Sequence, residues 1–339
     1  MTEAGEETRE NKHVTPEAPA PPAEPLATPA PEATAATDTP EAAADAGETA
    51  PVRGEAAPDA TDAPEAPAGV GEAVPASAPG EGPAVFDGLR FAFGTLTVIP
   101  VTVRRWDRAA AAAGMAAAPL VGLVVGGGAA AGGGLLTSLG ASPLLAAIGA
   151  VAVPAVLTRG LHLDGLADTA DGLGSGKPAD EALRIMKQSD IGPFGVLTLI
   201  LVLLAQTAAL AACYADSWTY GCVAAVLAAF TGRTAMTLAC RPAVPAARPG
   251  GLGAAVAGSV RTGTACALAV LAVAAGCAAG LPFGGLTAGR GAAAACLALL
   301  CAEALLRHCV RRFRGTTGDV FGALCETATT ATLVVLSLR

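Results

Sequence analysis

The chain has 339 residues, of which 53% are hydrophobic and 15% charged, with a formal net charge of -8 and a mean hydropathy of +0.53. These totals exclude one ordinary soluble domain of this length, since so apolar a chain has too few polar side chains to dress its surface. They average over two unlike parts.

Residues 1–82 hold 17 acidic and 3 basic residues (3 - 17 = -14), set in Ala, Pro, Glu and Thr without periodic order. So little apolar surface cannot offset the entropy of ordering, and the segment is expected to be a disordered tail. It has no apolar run after a basic start, so no secretory leader is expected either. Residues 83–339 keep the other 12 acidic and 18 basic residues (18 - 12 = +6) and form the expected integral membrane domain. No nucleic-acid partner is expected.

Phe86 to Val101 mixes Asp87 and Arg90 with Phe91, Phe93, Leu96, Val98 and Ile99, which predicts an interfacial helix or half-span. Beyond it lie seven apolar runs of the length a bilayer core of ~30 Å demands. They are predicted near 109–137, 141–158, 191–214, 217–239, 263–281, 288–307 and 320–338. The fold class is therefore all-α, a multi-pass bundle of about seven transmembrane helices. Basic residues gather in alternate loops. Arg104, Arg105 and Arg108 precede the first run, and Arg159, Lys177, Arg184 and Lys187 follow the second. Arg241, Arg248 and Arg261 follow the fourth, and Arg307, Arg311, Arg312 and Arg314 the sixth. The positive-inside rule puts all these loops in the cytoplasm, with Arg290 and Arg339 as exceptions. The nine cysteines sit mostly inside apolar runs with no C-x-x-C pair, which points to small core side chains rather than a zinc site or disulfide framework.

The chemistry-bearing stretch is residues 160–177, which crowds His162, Asp164, Asp168, Asp171 and Lys177 between the second and third runs. On a helix, aspartates spaced four and three apart fall within about 60° of one another. Three carboxylates on one stripe repel, and a Mg²⁺ ion sharing its shell with water and phosphate would relieve them. A solvated helix face with capping aspartates beside Gly165 and Gly172 would have the same spelling. His162 points away from that stripe or precedes the helix, as suited to a structural role as to a catalytic one. Gly174-Ser175-Gly176-Lys177 is not a phosphate-binding P-loop, because Asp171 stands where Gly is required and Pro178 where Ser or Thr is.

Residues 179–189 read as a short aqueous helix with Arg184 and Lys187, either phosphate ligands or ordinary membrane anchors, ending at Asp190-Ile191-Gly192-Pro193. Arg233 inside the fourth run must face protein or snorkel to the interface. Arg314-Gly315-Thr316-Thr317-Gly318-Asp319 opens the last run as a turn whose free N–H groups suit an anion. Glu326, two turns on, should face that site or make an internal polar contact.

These residues resemble the cobalamin synthases, adenosylcobinamide-GDP ribazoletransferases of the bacterial inner membrane. The matching stretches are GLHLDGLADTADGLGSG (160–176), ALRIMKQSDIGPFGVL (182–197), GRTAM (232–236) and RGTTGDVFGALCE (314–326), and FGTLTVIPV (93–101) looks like the family's early F-x-T-x-I-P-V segment. Pro193 and Thr234 depart from the usual pattern. The resemblance implies that a hydroxyl of α-ribazole, or of its 5′-phosphate, attacks the cobinamide-bearing phosphorus of adenosylcobinamide-GDP, and that GMP leaves. It implies Mg²⁺ on Asp164, Asp168 and Asp171, with Asp319 as a further ligand. Lys177, Arg184, Lys187, Asp190, Arg233 and Thr317 then serve the substrates, and His162 or an aspartate not held by metal is the base. The implied site is a multi-pass inner-membrane enzyme with its active loops in the cytoplasm. A phosphotransferase acting on another nucleotide-activated alcohol would carry D-G-x-x-A-R, whereas Asp168-Thr169 stands where Ala-Arg is required. A transporter would show repeated halves with ionisable groups near mid-bilayer, and no repeat is evident.

Overall fold

A computed structural model describes residues 84–338, and the expected acidic tail lies outside the described residues. Within them the chain forms eleven α-helices and no strand. They are α1 (Ala84–Leu96), α2 (Arg108–Ser138), α3 (Pro143–Leu157), α4 (Leu161–Gly174), α5 (Ala179–Ile185), α6 (Pro193–Asp216), α7 (Trp218–Ala239), α8 (Leu252–Val256), α9 (Thr262–Gly280), α10 (Gly285–Phe313) and α11 (Gly318–Ser337). Each of the seven expected spans is a helix: α2, α3, α6, α7, α9, α10 and α11.

Their ends are set by local chemistry. Asp107 caps α2, accepting hydrogen bonds from the Ala109 and Ala110 amides at 2.9 Å each. Ser142 caps α3 and Ser217 caps α7, while α3 and α6 open on Pro143 and Pro193, whose missing N–H costs nothing in a first turn. Helix α1 packs along the start of α2, with Phe91 fully buried and its ring edge-on to Trp106.

The helices of the interior pack through small residues. A Cβ at Gly122 or Gly126 of α2 would sit 2.6 or 2.8 Å from the backbone of α7, so only glycine lets these two helices meet so closely. Helices α6 and α9 instead turn large apolar residues outward, among them Leu197, Ile200, Leu201, Leu204, Val270 and Leu271. That surface is right for lipid and wrong for water. Cysteines divide in the same way: Cys213, Cys240, Cys309 and Cys325 are buried in the core, whereas Cys266, Cys296 and Cys301 are exposed.

The break between α3 and α4 shapes the rest. Helix α3 has 15 residues, roughly 22 Å of rise, and cannot cross ~30 Å of hydrocarbon alone. After it the chain turns by 88° into α4. Two consecutive left-handed residues, Arg159 (φ 53°) and Gly160 (φ 70°), make the turn, and the Gly160 amide donates back to the Ala155 carbonyl at 2.7 Å. Helix α4 thus leaves the line of the span and lies against the N-terminal ends of α6 and α11.

Candidate active site where α4 meets α11

A Cβ on Gly165 would stand 2.6 Å from the Asp319 carbonyl oxygen, and one on Gly322 would stand 2.9 Å from the His162 carbonyl oxygen. These two glycines let the backbones of α4 and α11 touch. The contact brings Asp319, first acid of α11, beside Asp164 and Asp168 of α4. Burial, and repulsion from Asp164, Asp319 and Asp171, push the Asp168 carboxyl up to about 7, with Arg248 pulling the other way. Asp164, which is exposed, borders two hollows. One, of about 650 Å³, is lined by His162, Lys187, Arg248, Thr317 and Asp319 among others. The other, of about 680 Å³, is lined by Thr95, Thr97, Arg159 and Ile191.

Arg248 was read from sequence only as a loop charge, and it is the residue that the sequence analysis missed. It reaches the site because the strand-like stretch around it docks on the turn before α11. The Thr316 amide donates to the Pro245 carbonyl and the Ala247 amide to the Thr316 carbonyl, each at 2.9 Å. Arg248 also donates to the Leu183 carbonyl beside α5. Thr317 caps α11, its hydroxyl accepting from the Val320 amide at 3.4 Å and donating to Asp319 Oδ2 at 3.1 Å. No short sequence pattern announces a contact between residues 70 apart.

Asp171 does different work. Its Oδ2 accepts the Gly192 amide at 2.7 Å and its Oδ1 the Gly195 amide at 2.9 Å, so the carboxylate caps the first turn of α6. Both oxygens are engaged with backbone, and the side chain is buried. Of the other expected site residues, Lys187 and Thr317 join the acidic cluster, whereas Lys177, Arg184 and Asp190 lie outside both hollows. Lys177 pairs with Glu181 at 3.3 Å on the surface, and Arg184 and Asp190 are exposed.

Beneath the acids is a sealed polar layer. His162 is 1% exposed and Arg233 2%, which settles Arg233 as protein-facing rather than snorkelling. The ligand atoms of His162, Cys325 and Glu326 lie within 4.8 Å of one another, and neither His162 ring nitrogen has a partner. Gln206 of α6 donates to Glu326 Oε2 at 2.8 Å and to the Thr330 hydroxyl at 3.0 Å, the internal contact that Glu326 requires. Arg233 and Glu326 border a cavity of about 40 Å³, room for a water or two.

Chemically, the acidic group offers hard oxygens to a divalent cation, and its raised carboxyl is the sign of charge that a cation would neutralise. Asp164, Asp168 and Asp319 are hard oxygen donors of the kind Mg²⁺ takes, although among the described residues only His162, Cys325 and Glu326 bring three ligand atoms within 4.8 Å of one another. Arg248 and Lys187 line the first of the two acid-bordered hollows with positive charge, as a phosphate-bearing ligand requires.

Comparison with known proteins gives the same direction. A family model described as cobalamin-5-phosphate synthase matches residues 88–337. A Frankia casuarinae protein named adenosylcobinamide-GDP ribazoletransferase is 47% identical over 206 residues, covering 58% of this chain and 73% of its own. Proteins of the same name from Nocardioides and Corynebacterium efficiens are 37% identical over 254 residues (75% of this chain, 99% of theirs) and 36% over 247 (72% and 88%). No solved structure matches the chain.

Proposed function

The chain belongs to the cobalamin-5-phosphate synthase family, and from that premise we propose that it is an adenosylcobinamide-GDP ribazoletransferase of cobalamin biosynthesis. A hydroxyl oxygen of α-ribazole, or of its 5′-phosphate, bonds to the phosphorus that bears cobinamide. The bond from that phosphorus to the GMP oxygen breaks, and the hydroxyl proton is lost. The observation that carries this reading is Asp164 standing between two hollows, with Lys187 and Arg248 lining one of them. A transfer between two substrates needs two binding places that meet at the reacting phosphorus.

Asp164, Asp168 and Asp319 would hold Mg²⁺, which supplies charge neutralisation on a transferring phosphoryl group. Lys187 and Arg248 bind and orient the diphosphate and meet the negative charge that grows on the departing GMP oxygen. Thr317, fixed by its cap and by Asp319, positions that end of the diphosphate. His162, whose buried ring lies beside the Arg233 cation, is a poor acceptor for the hydroxyl proton, which passes to water in the open hollow. Asp171 keeps α6 against α4 and so holds the acids in place.

The basic ends of the helices support a multi-pass protein of the cell membrane with this site in the cytoplasm. A cysteine at Gln188 in a variant otherwise lacking exposed thiols should react with an impermeant maleimide only in inverted vesicles; labelling in intact cells would reverse the orientation. Purified protein in detergent, given adenosylcobinamide-GDP, α-ribazole and Mg²⁺, should release GMP. EDTA should stop the release, and release that persists in EDTA would remove Mg²⁺ from the proposal.

A further inference from the structure

Far from the acids, α9 and α10 leave a groove of about 540 Å³ on the outer surface, floored by Val273, Cys277, Cys296 and Leu299. Its rim carries Val270 and Leu300, both exposed. One end is not apolar. There Glu303 is clasped by two cations, Arg241 at 2.7 Å on Oε2 and Arg307 at 2.8 Å on Oε1. On the far side of this trio lies a second hollow of about 460 Å³, bordered by Arg311, Val310 and Thr262. Arg241, Glu303 and Arg307 line both hollows, so the two are continuous around one charged junction.

The junction is over-supplied with positive charge. Three arginines face one glutamate (3 - 1 = +2), and both glutamate oxygens are already occupied. The buried Arg241 Nε has no hydrogen-bond partner, and Arg307 is 69% exposed at its side chain. Arg311 is exposed as well. These groups sit where α7 and α10 end and α9 begins, which is one end of the bundle. An apolar groove running away from a cationic junction at the end of the spans matches one chemistry: a phosphate ester carrying hydrocarbon chains.

We propose that this groove binds an anionic glycerophospholipid, an acyl chain lying between α9 and α10 and the headgroup phosphate held by Arg241, Arg307 and Arg311. Both hollows fall within the ~300–1,000 Å³ of sites that take small amphiphiles. A zwitterionic lipid would bring its own cation to a junction already two charges positive. Inorganic phosphate would leave the groove unfilled. The site is separate from the acidic cluster, and it stands or falls independently of the transfer reaction.

The test is native mass spectrometry of the full, delipidated chain in detergent, titrated with dioleoylphosphatidylglycerol and, separately, dioleoylphosphatidylcholine. Phosphatidylglycerol should bind roughly tenfold more tightly, and Arg307→Gln with Arg311→Gln should erase the preference. Both positions are exposed, so the double variant should melt with the parent. Peptide mapping of maleimide-treated protein supplies a second readout: phosphatidylglycerol should slow modification of Cys296 in the groove and leave the equally exposed Cys266 unchanged. Equal binding of the two lipids, or a preference that survives the double variant, overturns the proposal. So does protection of Cys296 by inorganic phosphate alone, or by pairing of two chains without lipid.

Discussion

Helices α4 and α11 each contribute to two polar regions, about two turns apart along α11, and the regions behave oppositely. The outer one gathers like charge, with Asp164 and Asp319 at the edge of open hollows and Asp168 half-buried beside them. The inner one, His162, Arg233, Gln206 and Glu326, sets one cation against one anion where water has almost no access. The same few residues of sequence feed both. Burial decides the difference: an excess charge that water can reach is a place to bind, whereas a sealed charge must be answered by the protein itself.

The largest effect should separate the two regions outright. Asp168→Asn should lower transfer by more than about a hundredfold, with the thermal midpoint preserved or raised, because a repelling carboxylate has been removed. GMP release and a melting curve on the same preparation decide it. Comparable loss of folded protein would move Asp168 into the structural region. Next, Arg233→Met should destabilise by about 3–5 kcal/mol, since it removes the buried cation whose field offsets Glu326 and leaves only Gln206 against that carboxylate, and Arg233→Met with Glu326→Leu should recover most of that loss. Thermal unfolding in detergent measures both, and failure of the double variant to recover would mean the pair is not balanced as described.

Gly165→Ala tests the joint between the regions. Its Cβ would press on the Asp319 carbonyl, a misfit of about 1–3 kcal/mol in a tight core, and transfer should fall further than stability does. The mildest effect is one of pH. Asp168 is raised to about 7, so in metal-free protein its neutral form is favoured by folding. Its stabilising contribution is complete below about pH 4 and disappears as pH rises through about 7. The thermal midpoint of EDTA-treated protein should therefore decline over that window, and Asp168→Asn should flatten the decline. An unchanged slope in the variant would assign the pH response elsewhere.

The seven apolar helices, six of them long enough to cross alone, were legible because a bilayer imposes a length, and because Ser142, Pro143, Pro193, Ser217 and Thr317 mark ends by local rules that need no tertiary knowledge. The place of Asp319 in the first turn of α11 was legible too, since a Gly- and Thr-rich turn marks a helix start. The 88° turn at Arg159-Gly160 was harder, for glycine after arginine ends many helices without setting the angle of the next. Proximity in sequence does not state which neighbours of the acidic motif line a hollow: Lys187 does, and Lys177, Arg184 and Asp190 do not. It was equally silent on Arg248, carried in by pairing between residues 245–247 and 316. Asp171 shares its stripe with two site acids, and only the position of α6 reveals that its oxygens serve amides.

That last attachment has a mechanical consequence. Two hydrogen bonds from backbone amides to Asp171 fasten the first turn of a 24-residue membrane helix to the 14-residue helix that presents Asp164 and Asp168. The placing of Asp164 and Asp168 is therefore tied to a membrane helix and not to a loop, so a tilt of α6 in a bilayer of another thickness would be carried through Asp171 to the acids.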